Sequence, residues 1–415
     1  MSVFVLGGHQ TDFARNIDRE GIDIAGLVAE GVAGTLGAAC VDATEIESVH
    51  VGNAFGQVFN GQGHLGAMPA TVEPGLWGAP SARHEAACAS ASIAILAGMA
   101  EIEAGRYECV LVLGVEQERN VPGDQAARNL AGAAWLGHES VDASFMWPAQ
   151  FSDLADEYDR RYGLDHAHLG AIAAKNMGNA KRNPNAQTRG WQLHDAMFTE
   201  DDDTNPVVEG RTRRTDCSQV TDGAAGVVLA SRAFAEAYAA RHGIDLATLA
   251  RIAGWGHVGA GLSLAAKLER SKDEPYVLPH VRTALTDAWR RAGVLGVDAI
   301  DGIEVHDCFT ITEYAAVDHL GLAEPGAAWK PIENGETQLG GTLPVNPSGG
   351  LIGGGHPVGA TGARMLLDAT KQVRGEAGGY QVEGARTFQT LNIGGSTATT
   401  VSLVVTTDAA VGSAA

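Results

Sequence analysis

Short runs of consecutive apolar residues alternate along this chain with longer stretches in which apolar and small residues recur at helical spacing. Near the start, "SVFVLGG" reads as a strand, "GIDIAGLVAEGVAGTLGAA" as an amphipathic helix and "IESVHVGNAFG" as a second strand. Arg83–Gln117 then gives a helix followed by "ECVLVLGVE", a continuous apolar run of buried-strand length. From about Arg119 to Arg213 the pattern loosens, with a helix over Phe151–Tyr162 inside a long insertion. The strand signal returns at Gly223–Ser231.

A second half begins near Tyr276 and repeats the order. The helix "HVRTALTDAWRRAG", the strand "DGIEVHDC" and the helix "TITEYAAVDHLG" precede "GGHPVGATGARMLLDATKQV", and the strands "ARTFQTLNIGG" and "TTVSLVV" close it. In both halves a cluster of small residues opens a long helix that strands follow. Strands alternating with helices predict an α/β architecture with a largely buried sheet. The repeated order points to duplication.

Bulk properties narrow the function classes. The 415 residues suffice for two domains or one duplicated fold. A formal net charge of -21 argues against nonspecific binding to nucleic acid or anionic membranes. The segment "EGRTRRTDC" (Glu209–Cys217) remains as a local basic patch for phosphates. No apolar run approaches membrane-span length, and the N-terminus lacks a signal-peptide layout. Five cysteines, at 40, 88, 109, 217 and 308, fall in no metal-ligand spacing and no disulfide framework. Free thiols predict a reducing cytoplasm, and the C-terminal "AAVGSAA" is no peroxisomal address.

Four segments carry candidate chemistry. Cys88, before the first small-residue helix, would feel the helix dipole and unpaired amides, which favour thiolate; the plain alternative is a small core cysteine. His356 is planted in the glycine-rich "NPSGGLIGGGHPVGATGARM" (Asn346–Met365). Glycine explains a tight turn there but not an imidazole, which is suited to take a proton from a thiol. His306, Asp307 and Cys308 fall where a buried strand ends, the place ligands occupy in α/β folds; a structural cap by Asp307 is the alternative. The turn in "LNIGGSTATT" (Leu391–Thr400) offers backbone donors to an oxyanion, or is a simple hairpin.

Together and in this order, these segments resemble the thiolase family over essentially the whole chain. "GGHPVGATGAR" is the most specific element, "DCSQVTDGAAGVVLAS" (Asp216–Ser231) agrees, and "HDCF" with "KNMGNAKRNPNAQ" is similar to the sterol-carrier-protein type. The resemblance implies a thiolase-like fold: duplicated mixed five-stranded sheets in a layered α-β-α-β-α arrangement with an inserted loop domain. It divides the chain into residues 1–118 plus 214–265, the insertion 119–213, and residues 266–415. It makes Cys88 the acylated nucleophile, His356 its activator, and His306 the residue that, with a water, holds the thioester oxygen of the enolising acyl-CoA. Most thiolases carry a second catalytic cysteine near the C-terminus; here Asn392 stands in that place, and Cys308 takes over. The amides of Cys88 and Gly394 form the second oxyanion hole.

The activity this resemblance implies is that of an acyltransferase, which cleaves 3-oxoacyl-CoA with CoA or condenses two acyl-CoAs. Coenzyme A is substrate, with no permanent cofactor and no metal. A homodimer or tetramer is expected, and a small accessory subunit is compatible with this fold. The alternatives are a synthesis-only condensing enzyme with such a partner, a retro-aldolase of the same fold, and a non-catalytic acyl-CoA carrier. Cys88 weighs against the last two.

Overall fold

The computed structural model describes residues 3–408, and the terminal "AAVGSAA" lies outside the described residues. In chain order the strands are β1 (Val3–Gln10), β2 (Ser48–Gly52), β3 (Ser81–His84), β4 (Cys109–Glu116), β5 (Val207–Glu209), β6 (Thr212–Arg213), β7 (Gly223–Ala230), β8 (Ala250–Gly259), β9 (Gly302–Val305), β10 (Thr387–Gly394) and β11 (Thr399–Thr406). All but β5 and β6, which pair as a separate ribbon, join one sheet in the order β3-β2-β4-β7-β1-β8-β11-β10-β9.

The repeat predicted from element order is visible in this sheet. Outward from the β1–β8 seam, each half has two antiparallel pairings and then a parallel one: β1·β7, β7·β4 and β4·β2 on one side, β8·β11, β11·β10 and β10·β9 on the other. The fifth place is β3 in the first half, and in the second a single bridge between Ile303 and Val345. The structure thus differs from two separate five-stranded sheets in two respects. Val3–Val5 pair with Ala250–Ile252 and fuse the halves. The tenth strand shrinks to one bridge because Pro344 and Pro347, around Val345, have no N–H to give a ladder.

The helices Ser90–Glu103 and Thr361–Arg374 touch each other, and the second lies against strands of both halves, so the pair forms the middle layer. Ile24–Ala39 covers β1 and β7, and Pro279–Ala292 covers β8 and β11. Small residues make the central contact possible. A Cβ on Gly362 would stand 2.5 Å from the Ser92 nitrogen, and Ala91, Ala225, Ala360 and Ala363 pack as one buried cluster. β8 was not legible as a strand for a related reason. A Cβ on Gly256 would stand 1.9 Å from the Ala284 oxygen, so glycine interrupts the apolar pattern of "RIAGWGHVG". By strand order β8 belongs with the C-terminal half.

The insertion supplies the helices Met146–Tyr162 and His166–Ala180 and packs on the strand-end loop after β9. Phe151 stacks on Phe309 with ring centroids 4.5 Å apart, and Lys175 forms a buried ion pair with Glu313. The basic segment "EGRTRRTDC" folds as the β5–β6 ribbon with its charges engaged. Arg211 pairs with Asp156 and Asp159, and Arg213 with Asp202. Arg211 and Arg213 thus staple the insertion, and Arg214 remains exposed. No helix among the described residues is long and apolar enough to cross a membrane.

Candidate active site

Cys88 stands two residues before Ser90–Glu103, not within its first turn. The turn that presents it is strained: Ala87 has φ 50°, a left-handed conformation that costs an alanine energy. Local hydrogen bonds hold it there. Ser90 Oγ donates to the Ala87 carbonyl at 2.6 Å and accepts from the Ala86 amide at 2.9 Å, and Glu85 accepts from the Ala87 amide at 2.7 Å. The result aims a half-buried thiol into a cavity of about 270 Å³.

His356 reaches the same cavity from the glycine-rich loop. Its backbone N–H donates to Thr221 Oγ1 at 2.8 Å. Its Nδ1 is 2.7 Å from Thr361 Oγ1, whose own hydrogen goes to the Pro357 carbonyl at 3.1 Å. Thr361 therefore accepts from Nδ1–H, and Nε2 is left as the basic nitrogen. Asp307 anchors this loop to the end of β9, accepting from Leu351 N at 2.6 Å, Ile352 N at 3.2 Å and Asn176 Nδ2 at 2.7 Å. Asp307 does not cap the adjacent helix, whose N-cap is Phe309; its carboxyl closes the His356 loop instead.

His306 has the complementary tautomer. Ser92 Oγ donates to Asn392 Oδ1 at 2.7 Å, which turns Asn392 Nδ2 toward His306 Nδ1 at 3.1 Å. With Nδ1 accepting, the neutral ring carries its proton on Nε2, a buried donor that has no partner among the described residues. Asn392, in the place of the missing cysteine, thus fixes which nitrogen of His306 is protonated.

The side chains converge. Cys88 Sγ and ring nitrogens of His306 and His356 all lie within 4.8 Å of one another, and the two rings meet edge to face at 5.2 Å. Cys308 lines the same cavity and is close enough to Cys88 that each thiolate would repel the other. The Cys308 backbone is pinned by its carbonyl, which accepts from Ser218 N at 2.9 Å. The amides of Gly395 and of Cys88 itself face the Cys88 sulfur. Gly394 packs one residue away, where a Cβ would be 2.2 Å from the Ala86 carbonyl. A thiol with two imidazoles is also a set able to hold a soft divalent cation.

Burial first, and the Glu118 carboxylate second, push the Cys88 thiol up to about 12. Burial, with Arg364 nearby, brings His356 down to about 3. Both shifts oppose moving the proton from sulfur to imidazole in the free protein, against the pull of the helix end and the nearby amides toward thiolate. Cys88 alkylation should consequently rise with pH, up to about tenfold per unit from about pH 7 to 10, as the thiolate fraction grows below its raised pKa. Exposed Cys40 should label first. Peptide mapping after brief labelling checks both; a plateau below about pH 8 would reveal a standing thiolate–imidazolium pair.

Sequence reasoning passed over Thr221, Thr361, Ser92 and Glu118. The first three are ordinary polar residues whose partners are remote in the chain or masked by glycine. Glu118, one more acid in "GVEQER", gave no sign of facing the cavity.

Comparison with known proteins shows the family of the chain. Residues 3–191 match the model of the thiolase N-terminal domain, and residues 265–407 that of the thiolase C-terminal domain-like family. The acetyl-CoA acetyltransferase of Methanothermobacter thermautotrophicus is 32% identical over 95% of this chain and 96% of its own. Human sterol carrier protein 2 is 28% identical over 97% of this chain and 71% of its own. Two solved structures share the fold across 98% of both chains. An Ltp2-ChsH2(DUF35) aldolase has a TM-score of 0.75 at 20% identity. Human mitochondrial 3-ketoacyl-CoA thiolase in complex with CoA has 0.70 at 17%.

Proposed function

This chain belongs to the thiolase family and is an acyltransferase of it, and on that premise we propose that it cleaves 3-oxoacyl-CoA with free CoA, or runs the reverse Claisen condensation, through an acyl group on Cys88. The observation that carries this reading is the meeting of Cys88, His306 and His356 within 4.8 Å in a cavity that Cys308 also lines.

The chemistry derives from the protonation states. His356 Nε2 takes the Cys88 proton as sulfur attacks the 3-oxo carbon, so that charge never rests on a buried thiolate. The amides of Cys88 and Gly394, with that of Gly395 beside them, receive the oxyanion. His306 Nε2–H donates to the thioester oxygen on which enolate charge develops. Cys308, a thiol raised well above its ordinary range by burial and by Cys88, is poised to give the α-carbon its proton in thiolysis. Coenzyme A then takes the acyl group from Cys88. The proton of the CoA thiol goes to the Cys308 thiolate left by the first half-reaction, and His356 returns its proton to the Cys88 sulfur as the acyl group leaves.

We further assign a homodimer or tetramer in the cytoplasm. Support for self-association comes from β3, which ends the sheet with Ser81 and Ala82 exposed and its outer backbone row open to a second strand. A small accessory chain has support only from the aldolase relative, itself named as a complex with a DUF35 protein.

A panel of 3-oxoacyl-CoAs assayed with free CoA tests the reading. The expected result is CoA-dependent cleavage to two shorter acyl-CoAs, with the acyl group trapped on Cys88 when CoA is withheld. Carbon–carbon cleavage of 3-hydroxyacyl-CoAs without need of Cys88 would overturn it in favour of a retro-aldolase.

A further inference from the structure

Three buried acids cluster behind the cavity, and one of them differs from the others. Glu116 accepts from the amides of Ala54, Phe55 and Gly359 and from Asn53 Nδ2, at 2.8–3.1 Å. Asp222 accepts from the amides of Ile17, Glu118 and Arg119, at 2.7–3.0 Å. Both carboxyls hold loops in place. Glu118 is 1% exposed, borders the cavity beside Cys88, and neither of its carboxyl oxygens makes a well-formed hydrogen bond among the described residues, the Val358 amide being the one backbone donor that faces it. Around it the cavity wall is apolar, with Phe55, Leu130, Trp147, Phe309 and Val358. A buried carboxyl without a well-formed hydrogen bond destabilises the fold, and an apolar residue would line a purely hydrocarbon site at no such cost.

We propose that Glu118 is a specificity-determining residue of the acyl pocket, and that the acyl chain it selects bears a further uncharged oxygen function, a hydroxyl or a keto group, beyond the carbonyl that Cys88 attacks. Burial and the neighbouring Glu116 and Asp222 hold its carboxyl well above the ordinary range, which favours the neutral acid. A neutral carboxyl offers a donor and an acceptor. A hydroxyl matches both, a keto group accepts from the donor, and an alkyl chain leaves both unpaired. A chain ending in carboxylate would add a fourth acid to the cluster and is disfavoured.

This selectivity rests on Cys88 as the acyl carrier, and one experiment separates the two. Wild-type protein is incubated with acetyl-CoA, with hydroxyacyl-CoAs whose hydroxyl is stepped along the chain, and with the methyl isostere of each. Acylation of Cys88 is followed by intact mass. Acetylation tests the acyl-transfer reading alone. One hydroxyl position should acylate faster than its isostere by about 10- to 100-fold, the discrimination expected from leaving a buried polar group unpaired. Glu118→Leu should bring that ratio to about one or below, and Glu118→Gln, which keeps a donor and an acceptor, should retain a preference. Normal acetylation with no preference at any position overturns the role of Glu118 while leaving the acyl-transfer reading intact. A preference unchanged in Glu118→Leu, or a stronger one for succinyl-CoA or an aminoacyl-CoA, also overturns it. Should Glu118→Leu not fold, Glu118→Met, which also lacks a donor and an acceptor of that kind, takes its place with the same expected ratio of about one.

Discussion

Cys88→Ala should leave no acyl-enzyme and lower thiolysis by about 10⁶-fold, the order lost when a covalent nucleophile is removed. The size reflects how the site is built. The Ala87 turn exists to aim one atom, and the Cys88 and Gly395 amides converge on that atom. His356, held near 3, is too weak a base to ionise another group unless attack on a carbonyl draws the proton across at the same moment. Cys308 shares the cavity, but it is 7% exposed and its burial, with Cys88 close by, also opposes ionisation. Intact mass after incubation with acetyl-CoA, beside a thiolysis rate, reads both effects. An acyl group found on Cys308 in the Cys88→Ala protein, with turnover within about tenfold of wild type, would reassign the nucleophile.

The elements that position this site were largely legible because burial leaves a strong mark on sequence. "ECVLVLGVE" became β4, every residue of it buried, and the small-residue clusters did mark where two central helices approach too closely for larger side chains. The repeated order reappeared as matched pairings on each side of the β1–β8 seam. What local pattern missed depends on distant partners. The seam joins residues roughly 250 positions apart, so no local period records it. β8 was hidden because its glycines are demanded by a helix that comes after it in the chain. The pull of the helix end toward thiolate is a local feature legible in sequence, whereas the desolvation opposing it comes from the whole fold around Cys88. The Ser92–Asn392–His306 chain links residues 300 and 86 positions apart, and only the fold shows that Asn392 orients a histidine.

Cys308→Ala should still acylate Cys88 from acetyl-CoA yet lose about 10²–10⁴-fold in steady turnover, the range of a missing acid or base. The two half-reactions make different demands. Acylation by acetyl-CoA needs the sulfur of Cys88, the base at His356 and an oxyanion hole, and no carbon is protonated. Carbon–carbon cleavage also releases an enolate whose α-carbon must take a proton, and condensation removes one from the same carbon. Cys308 suits that step because its buried thiol stays protonated in the free protein and lies in the cavity where the α-carbon would be held. Thiolysis and condensation share one transition state, so both directions should fall by the same factor. Substrate binding should change little, since Cys308 offers one small sulfur to a wall already made by Phe309 and Phe151. The loss should therefore appear in kcat rather than KM. Trapped-enzyme mass spectrometry paired with rates in both directions separates this from general damage, which would slow acylation as well. Turnover near the wild-type rate would move the proton to His306 Nε2, the other buried donor facing the site, and the sterol-carrier-protein pattern would then fail for this chain at that residue.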